Sequence, residues 1–359
     1  MRRYNIALLP GDGIGPEVLV EGVKVLNKIA SLDSDLEFIF EYFPWGSEYY
    51  LENGKMMPDD ALDILKKYDA IYFGAVGLPE VPDWIPAHQL LYKIRRGFNQ
   101  YVNLRPVKRL QGAPCYLNRD LPIDMVYVRE NVEGEYTDIG GRHYTGSSLE
   151  TVAQVNLFTR TGTERIMRYA FKLAEKRRGK IASITKSNAL MHSMVFWDEI
   201  FEEVKSDYPD VEARQVLVDA MAMFMVTEPE KFDVLVASNL FGDILTDLGA
   251  ALQGGLGFAP SGNINPEKEY PSMFEPVHGS SPKDKGKNRV NPIATIWAGK
   301  LMLDHLGEQA WGERVLNAIE EVLIDGNVRT PDIGGNSSTQ EMGDAIADKL
   351  RHIYAKAVG

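Results

Sequence analysis

Val234-Leu235-Val236-Ala237-Ser238-Asn239-Leu240-Phe241-Gly242-Asp243-Ile244-Leu245-Thr246-Asp247 runs one kind of structure straight into another. The apolar run Val234 to Val236 reads as a buried strand, and Ser238-Asn239 as the point where strand gives way to helix. Asp243 and Asp247 then stand four apart on one helical face, with Cβ atoms roughly 5–6 Å apart. Two carboxylates that close at the carboxyl end of a strand suit a hard divalent cation, which takes oxygen ligands. The alternative is a helix-start Asp favoured by the macrodipole, with the second Asp merely solvated. This stretch alone leaves both readings open.

The same succession recurs along the chain. Tyr4 to Leu9 reads as a strand, followed by a glycine-rich turn and by Pro16, well suited to a first helical position. Leu19, Val23, Leu26 and Ala30 mark the buried face of that helix. Leu36 to Tyr42 is strand-like, Pro58 to Lys66 helical and Ala70 to Phe73 strand-like again. Glu164 to Arg177, Met191 to Ser206, Ile293 to Leu306 and Glu313 to Asp325 have the period of amphipathic helices. The apolar strands Ile181 to Ile184, Val216 to Val218 and Val234 to Val236 separate the middle ones. Such alternation predicts an α/β fold with a largely parallel sheet.

A chain of 359 residues has the length of two domains. Its net charge of -12 argues against nucleic acid or an anionic membrane surface as a general partner. The single cysteine, Cys115, excludes an intrachain disulfide and a Cys-rich metal site, and is expected to be a packed residue. The basic start Met1-Arg2-Arg3 precedes an apolar segment, Ile6 to Leu9, too short for an export signal. No window approaches a membrane span. A cytoplasmic protein is expected.

The turn Gly11-Asp12-Gly13-Ile14-Gly15 has the setting of a dinucleotide fingerprint but the wrong spacing. Its other reading is a tight turn that brings backbone close to something. Arg95 lies on a helix-like run, Arg105 ends the strand-like Tyr101 to Leu104, and Arg129 follows the strand Met125 to Val128. Guanidinium forks match carboxylates, and the strand ends of α/β sheets collect ligands, although any one arginine is more commonly a surface residue. Tyr136 and Lys186 are also unremarkable singly, the one as half-buried packing and the other as a solvated cation.

Together these pieces resemble the isopropylmalate and isocitrate dehydrogenase family of metal-dependent β-decarboxylating dehydrogenases. The resemblance rests on Leu9 to Glu17, Asn103-Leu104-Arg105-Pro106, Arg129 to Gly134, Lys186-Ser187-Asn188, Asn239 to Asp247 and Glu275-Pro276-Val277-His278-Gly279-Ser280. It implies a two-domain, doubly wound α/β fold distinct from the Rossmann fold. The large cofactor-binding domain would be discontinuous (1–102 and 255–359), and the small domain (103–254) would carry the dimer interface. By the same resemblance Arg95, Arg105 and Arg129 hold the substrate carboxylates. Asp219, Asp243 and Asp247 bind Mg²⁺ or Mn²⁺, and Lys186 and Tyr136 move protons. Asp219 and Lys186 would come from the partner subunit, which makes the protein a homodimer. Gly11, Gly13, Ile14, Glu275, His278, Gly279, Ser280 and Asn291 would contact the cofactor.

The substrate's variable substituent would meet His88, Gln89, Leu91 and Tyr92. Isopropylmalate dehydrogenases carry Glu in place of His88 and Leu in place of Tyr92, and isocitrate dehydrogenases carry Ser in place of Gln89. The stretches Asn99 to Pro106, Thr185 to Asn188, Ala237-Ser238-Asn239 and Asn263 to Glu267 are most similar to the tartrate and D-malate dehydrogenase branch. A small 2R-hydroxy dicarboxylate is therefore the expected substrate, with isopropylmalate the alternative. NAD-using relatives place Asp where Lys283 stands, and Asp284 follows one position later. Lys283 resembles NADP-dependent isocitrate dehydrogenases, whereas Thr330 to Gly335 resembles NAD-using relatives. NAD is expected and NADP is the alternative. A non-catalytic paralogue would have lost Lys186, Tyr136 or a metal aspartate, and all are present. A decarboxylase without net redox differs from the main reading only in its substrate.

Overall fold

In the computed structural model, which describes residues 1–117, 119 and 121–358, the chain divides into two units. Asn118, Asp120 and Gly359 lie outside the described residues. One unit comprises residues 1–100, 105–120 and 250–359, the other 101–104 and 121–249. The segment 105–120, expected with the central residues, thus falls with the terminal ones. Two contacts hold it there. The Lys108 N–H donates to Gln253 Oε1 at 2.9 Å, and Gly112 lies so near the backbone of Leu323 that an added Cβ would come within 2.5 Å of it.

In the first unit the strands run in the order Leu36–Tyr42, Arg2–Gly11, Ala70–Ala75, Ser272–Pro276, Pro260–Ile264. All neighbours are parallel except the last pair. Ile6, Ala7, Leu8 and Leu9 are buried in succession, because helices cover both faces of such a sheet and no residue is left for solvent. The helix Ile293–Leu306 is apolar nearly all round for the same reason, packed against the Ser272–Pro276 strand on one side and the helices Gly15–Leu32 and Gln309–Asp325 on others. In the second unit the order is Asp124–Glu130, Val234–Ala237, Lys180–Thr185, Glu212–Leu217, all parallel. The helices Arg160–Lys176 and Ser193–Lys205 pack on it, and the Trp197 indole N–H donates to Ser183 Oγ at 2.9 Å. A separate ribbon, Gly140–His143 paired with Thr151–Gln154, stands exposed.

The predicted elements are present, with corrections at their edges. Gly15 precedes Pro16 in the first helix, and the buried face runs through Val18, Leu19, Gly22, Val25, Leu26 and Ile29. Val23 and Ala30 sit half-buried at its margin, because Gly22 admits the Tyr72 hydroxyl and turns that part of the helix inward. Pro58 to Lys66 contracts to a helix over Ala61–Leu65. Arg129 and Arg105 lie within their strands rather than beyond them. Cys115 is exposed, not packed; its thiol faces the Leu117 carbonyl of its own loop at 3.5 Å. Among the described residues no helix is long and apolar enough to cross a membrane.

Two buried carboxyls organise the chain's turns. Asp12, in the first glycine-rich turn, accepts from the N–H groups of Ser47 at 2.9 Å and Gly77 at 2.8 Å. It thereby ties the strand Arg2–Gly11 to the start of the helix Ser47–Asn53 and to the loop after Ala70–Ala75. Its own N–H donates to the Ala75 carbonyl at 2.7 Å. Replacement of Asp12 by Ala orphans these buried donors, and should lower unfolding free energy by about 2–4 kcal/mol in denaturant titrations. A loss below about 0.5 kcal/mol, the scale of an ordinary surface change, would contradict this role.

Glu130 ends the strand Asp124–Glu130 fully buried. Its Oε2 accepts from Val132 and Glu133 N–H, while Oε1 has no hydrogen-bond partner among the described residues. Burial pushes this carboxyl up from the usual 4.5 to about 7. The folded chain therefore keeps a proton that the unfolded chain releases. Stability from this group falls as pH rises from about 4.5 to about 7, and the penalty is constant above that. Glu130→Gln should raise stability at pH 8 by on the order of 1–3 kcal/mol and leave it nearly unchanged at pH 4. Equal thermal shifts at the two pH values would show that Glu130 does not ionise in this range.

Candidate active site

The strand-to-helix stretch read first from the sequence is built around an arginine. Arg129 is 1% exposed, and a guanidinium so deeply buried must find its acceptors within the fold. Asn239, first residue of the helix Asn239–Gln253, accepts from Arg129 Nε at 3.1 Å and from Nη2 at 2.6 Å. Arg129 Nη1 pairs with the Asp243 carboxylate. Between these two, Gly242 leaves room for the Arg129 side chain, whose Cγ would lie 2.6 Å from an added Cβ. Asn, Gly and Asp at this spacing let one arginine cross the first turn of the helix. Tyr136 completes the group. Its hydroxyl donates to Asp243 Oδ2 at 2.7 Å, and the Arg129 guanidinium lies 5.4 Å from its ring centre. The helix start is itself held by Glu135, which accepts from Ser238 Oγ at 2.7 Å and Leu240 N–H at 3.0 Å, a carboxylate at the positive end of the helix. Asn239 opens the stretch already singled out in the sequence, whereas Glu135 is a support the sequence reading misses, because a Glu that caps another segment has no local signature.

Lys186 and Asp219 form a second group in the same unit. Lys186 Nζ donates to Asp219 Oδ1 at 2.9 Å. This bond, together with the position of Asp219 in the first turn of the helix Val218–Thr227, holds the Asp219 carboxyl below its usual range. The three aspartates predicted to bind metal thus divide: Asp219 sits with Lys186, Asp243 with Arg129 and Tyr136, and Asp247 is exposed one turn further on. Among the described residues no three His, Cys, Asp or Glu side chains converge as a metal cage within one chain.

In the first unit Arg95 is buried and its Nη2 donates to Glu275 Oε1 at 2.8 Å, an oxygen that also accepts from Asn263 Nδ2 at 2.7 Å. The sequence places these two residues in different roles, substrate and cofactor. The Tyr92 ring lies 5.8 Å from the Arg95 guanidinium and 5.0 Å from the His88 ring. His88 and Tyr92 are four apart and Tyr92 and Arg95 three apart, the spacing of neighbours on a helix face. A π-helical segment over Ala87–Leu91, invisible in the apolar periodicity, runs into the helix Tyr92–Gly97. Leu91 packs partly buried on the core, and Arg105 is buried in its strand.

A cavity of about 430 Å³ in this unit is lined by Ile14, Gly257, His278, Asp284, Arg289, Val290, Asn291, Pro331 and Asp332. The glycine-rich turn borders it but is not a phosphate cradle. Gly11 and Gly13, at φ +66° and +59°, lie against the carbonyls of Ala75 and Ser280, and only Ile14 of the turn lines the cavity. Ile14 N–H donates to the Ser280 carbonyl at 2.8 Å, and Ser280 Oγ donates to the Gly77 carbonyl. Asn291 accepts from Ile293 N–H and donates to Asp332. His278 Nδ1 faces the Gly279 carbonyl at 3.0 Å, and burial pushes the imidazole below its usual range. The neutral ring then donates from Nδ1 and leaves Nε2 as a buried acceptor with no partner among the described residues. Gly279 and Lys283 are exposed nearby in sequence, and Asp284 is held by Ser281 and Arg289. Arg289, Val290 and Gly257 escape the sequence reading because they converge on the cavity from separate loops, whereas Asp332 lies in the stretch Thr330 to Gly335 already compared with NAD-using relatives.

The chain is similar over nearly its whole length to proteins of one family. A family model described as isocitrate/isopropylmalate dehydrogenase matches residues 5–346. A tartrate dehydrogenase/decarboxylase of Pseudomonas putida is 52% identical, with 98% of each chain covered. A D-malate dehydrogenase [decarboxylating] of Escherichia coli (strain K12) is 51% identical over 96% of this chain and 98% of its own. The crystal structure of isocitrate dehydrogenase from Methylococcus capsulatus superposes with a TM-score of 0.87 at 35% identity, covering 97% of this chain and 99% of that one. With its mixed α/β fold, the chain belongs to the isocitrate/isopropylmalate dehydrogenase family.

Proposed function

We propose that this chain oxidises and β-decarboxylates a small 2R-hydroxy dicarboxylate of the D-malate or tartrate type, with NAD as hydride acceptor and Mg²⁺ or Mn²⁺ as metal. The observation that carries the substrate choice is Tyr92, whose ring fills the space beside Arg95 and His88. A branched substituent would meet that ring, whereas H or OH would not. The names of the relatives from Pseudomonas putida and Escherichia coli support the same branch.

The roles are those the family resemblance implies, and the residue chemistry is compatible with each. Arg95, Arg105 and Arg129 are assigned to carboxylates, which a guanidinium fork matches bidentately. Asp243 and Asp247, on one face of the helix Asn239–Gln253, offer the oxygen donors that a hard divalent cation takes. The third donor, Asp219, lies apart with Lys186, so a complete set requires Asp219 and Lys186 from a second copy. Exposed apolar residues on the helices that bear these aspartates, Met223, Val226 and Ile244, support such a homodimer. The cavity around His278 suits a nucleotide, because the unpartnered Nε2 acceptor calls for an N–H or O–H donor. A divalent cation held by Asp243, Asp247 and the second copy's Asp219 would supply Lewis-acid polarisation of the substrate's C2 oxygen, and a nicotinamide dinucleotide held in the His278 cavity would supply the hydride acceptor. Lys186 removes the hydroxyl proton. Once the β-carboxylate has left as CO₂, Tyr136 returns a proton to C3, and the Asp243 carboxylate orients its hydroxyl.

The direct test is dinucleotide reduction by the purified protein with Mn²⁺ on D-malate, tartrate, isopropylmalate and isocitrate, each with NAD and NADP. The highest kcat/KM should fall on D-malate or tartrate, and Tyr92→Leu should move preference toward isopropylmalate by about tenfold or more, the worth of one well-filled pocket contact. If the native chain prefers isopropylmalate, Tyr92 does not set the pocket. Lys186→Ala and Tyr136→Phe homodimers should each be nearly inactive. Unfolded together and refolded, they should regain roughly a quarter of native activity, because half the dimers are mixed and one site of each mixed dimer is intact. No recovery would place both residues in the same chain's site.

A further inference from the structure

Tyr136 stands in a segment fastened on both sides. Before it, the N–H groups of Gly134 and Leu157 each donate to the other's carbonyl, at 2.7 and 3.0 Å, and Asn239 Nδ2 donates to the Glu133 carbonyl at 3.0 Å. After it, Thr137 Oγ1 donates to the Val155 carbonyl, and Gln154 Nε2 donates to the Thr137 carbonyl at 2.6 Å. Glu135 adds an attachment of a different kind. Ser238 holds the cap position of the helix Asn239–Gln253, since its carbonyl accepts from Gly242 N–H at 2.9 Å. A serine there ordinarily turns its own oxygen onto an N–H two or three positions on. Ser238 does the reverse. It is fully buried, its hydroxyl donates to Glu135 Oε1 at 2.7 Å, and the Leu240 N–H donates to Glu135 Oε2 at 3.0 Å. A local cap is thus replaced by one from the residue that precedes Tyr136.

We infer that Glu135 is a positioning residue for Tyr136, fixing the place of its hydroxyl along the helix that bears Asp243. This inference rests on the proposal that Tyr136 protonates C3. Two consecutive side chains meet one helix at two levels, Glu135 at Ser238 and Leu240 and Tyr136 at Asp243 about one turn on. A single bond to Asp243 would let the phenol swing about it, whereas two fixed points set both its distance and its direction. The step that needs this comes last. After CO₂ leaves, the electron pair of the enolate forms the C3–H bond while the Tyr136 O–H bond breaks, and solvent reprotonates the phenolate. Such a transfer requires donor and acceptor within about 2.6–3.2 Å. Hydride transfer and CO₂ loss precede it and do not use the Tyr136 hydroxyl. Arg129 holds Asn239 and Asp243 independently of Glu135, so the metal donors keep their places when Glu135 is lost.

Rapid-mixing measurement of dinucleotide reduction with Mn²⁺ separates the steps, using D-malate or tartrate, whichever the native protein turns over faster. Glu135→Ala should give a burst of about one reduced dinucleotide per active site at close to the native rate, then turn over at least about tenfold more slowly than native. Glu135→Gln should restore most of the native turnover, because its amide oxygen accepts from Leu240 N–H and its amide N–H donates to the Ser238 oxygen. Ser238→Ala removes one of the two bonds and should show the same burst with a smaller loss of turnover. It carries the test if the thermal midpoint shows that Glu135→Ala does not fold. Undiminished turnover in Glu135→Ala, or a burst slowed in step with turnover, overturns the positioning role. Glu135→Gln as slow as Glu135→Ala assigns the effect to the carboxylate's charge and overturns it equally. Tyr136→Phe should share the burst; its absence there removes Tyr136 as the acid, and Glu135 with it. If the native protein reduces no dinucleotide on either acid, the proposed function itself falls.

Discussion

A buried guanidinium must be matched by acceptors or the fold rejects it. Arg129 imposes that constraint on the central unit, and the chemistry proposed there depends on how it is met. Asn239 takes two of its donors, Asp243 a third, and Gly242 clears its path across the helix. In satisfying Arg129, the helix Asn239–Gln253 acquires a fixed rotation about its axis, and that rotation sets where Asp243 and Asp247 point. Tyr136 is oriented by the same carboxylate. The carboxylate that neutralises the arginine is therefore also the one that orients Tyr136, the proposed acid, and it stands on the same helix face as Asp247, its partner in the proposed metal site.

The terminal unit uses the same principle with the signs exchanged. Asp12 is a buried anion matched by backbone N–H groups from two other segments, and it closes the first glycine-rich turn onto the sheet. That turn then supports the cavity wall through the bond from Ile14 to the Ser280 carbonyl. Glycine spacing that departs from a phosphate-binding fingerprint follows from this arrangement, since Gly11 and Gly13 accommodate protein carbonyls. The tight-turn reading of Gly11 to Gly15 is the one realised.

The sequence reading is most successful where the physics is local. Continuous apolar runs identify many of the strands, and 3.6-residue periodicity identifies several of the longer helices, including Ile293–Leu306 to the residue. The strands Pro260–Ile264 and Ser272–Pro276 and the 20-residue helix Thr339–Val358 go unread. It fails where a tertiary partner decides. Val23 and Ala30 carry the right period for burial, but Gly22 meets Tyr72 and moves the buried face by one position. Cys115 has the residue type of a core position, yet lies in an exposed loop. The π-helical turn before Tyr92 has no signature in periodicity, because a single inserted residue leaves the apolar pattern on both sides intact.

By itself, then, the sequence determined the alternation of strands and helices, the residue types available for acid, base and metal chemistry, and the family whose motifs they compose. These depend on neighbours a few residues away, through backbone periodicity and the spacing of side chains on one face. Only the tertiary structure decided which charges meet. Arg95 with Glu275, Arg129 with Asp243, Lys186 with Asp219 and Asp284 with Arg289 are pairs brought together by the fold, and the first three join residues at least 33 positions apart. Ion pairing acts through space and is indifferent to chain separation. No local pattern encodes which partner a buried charge will take.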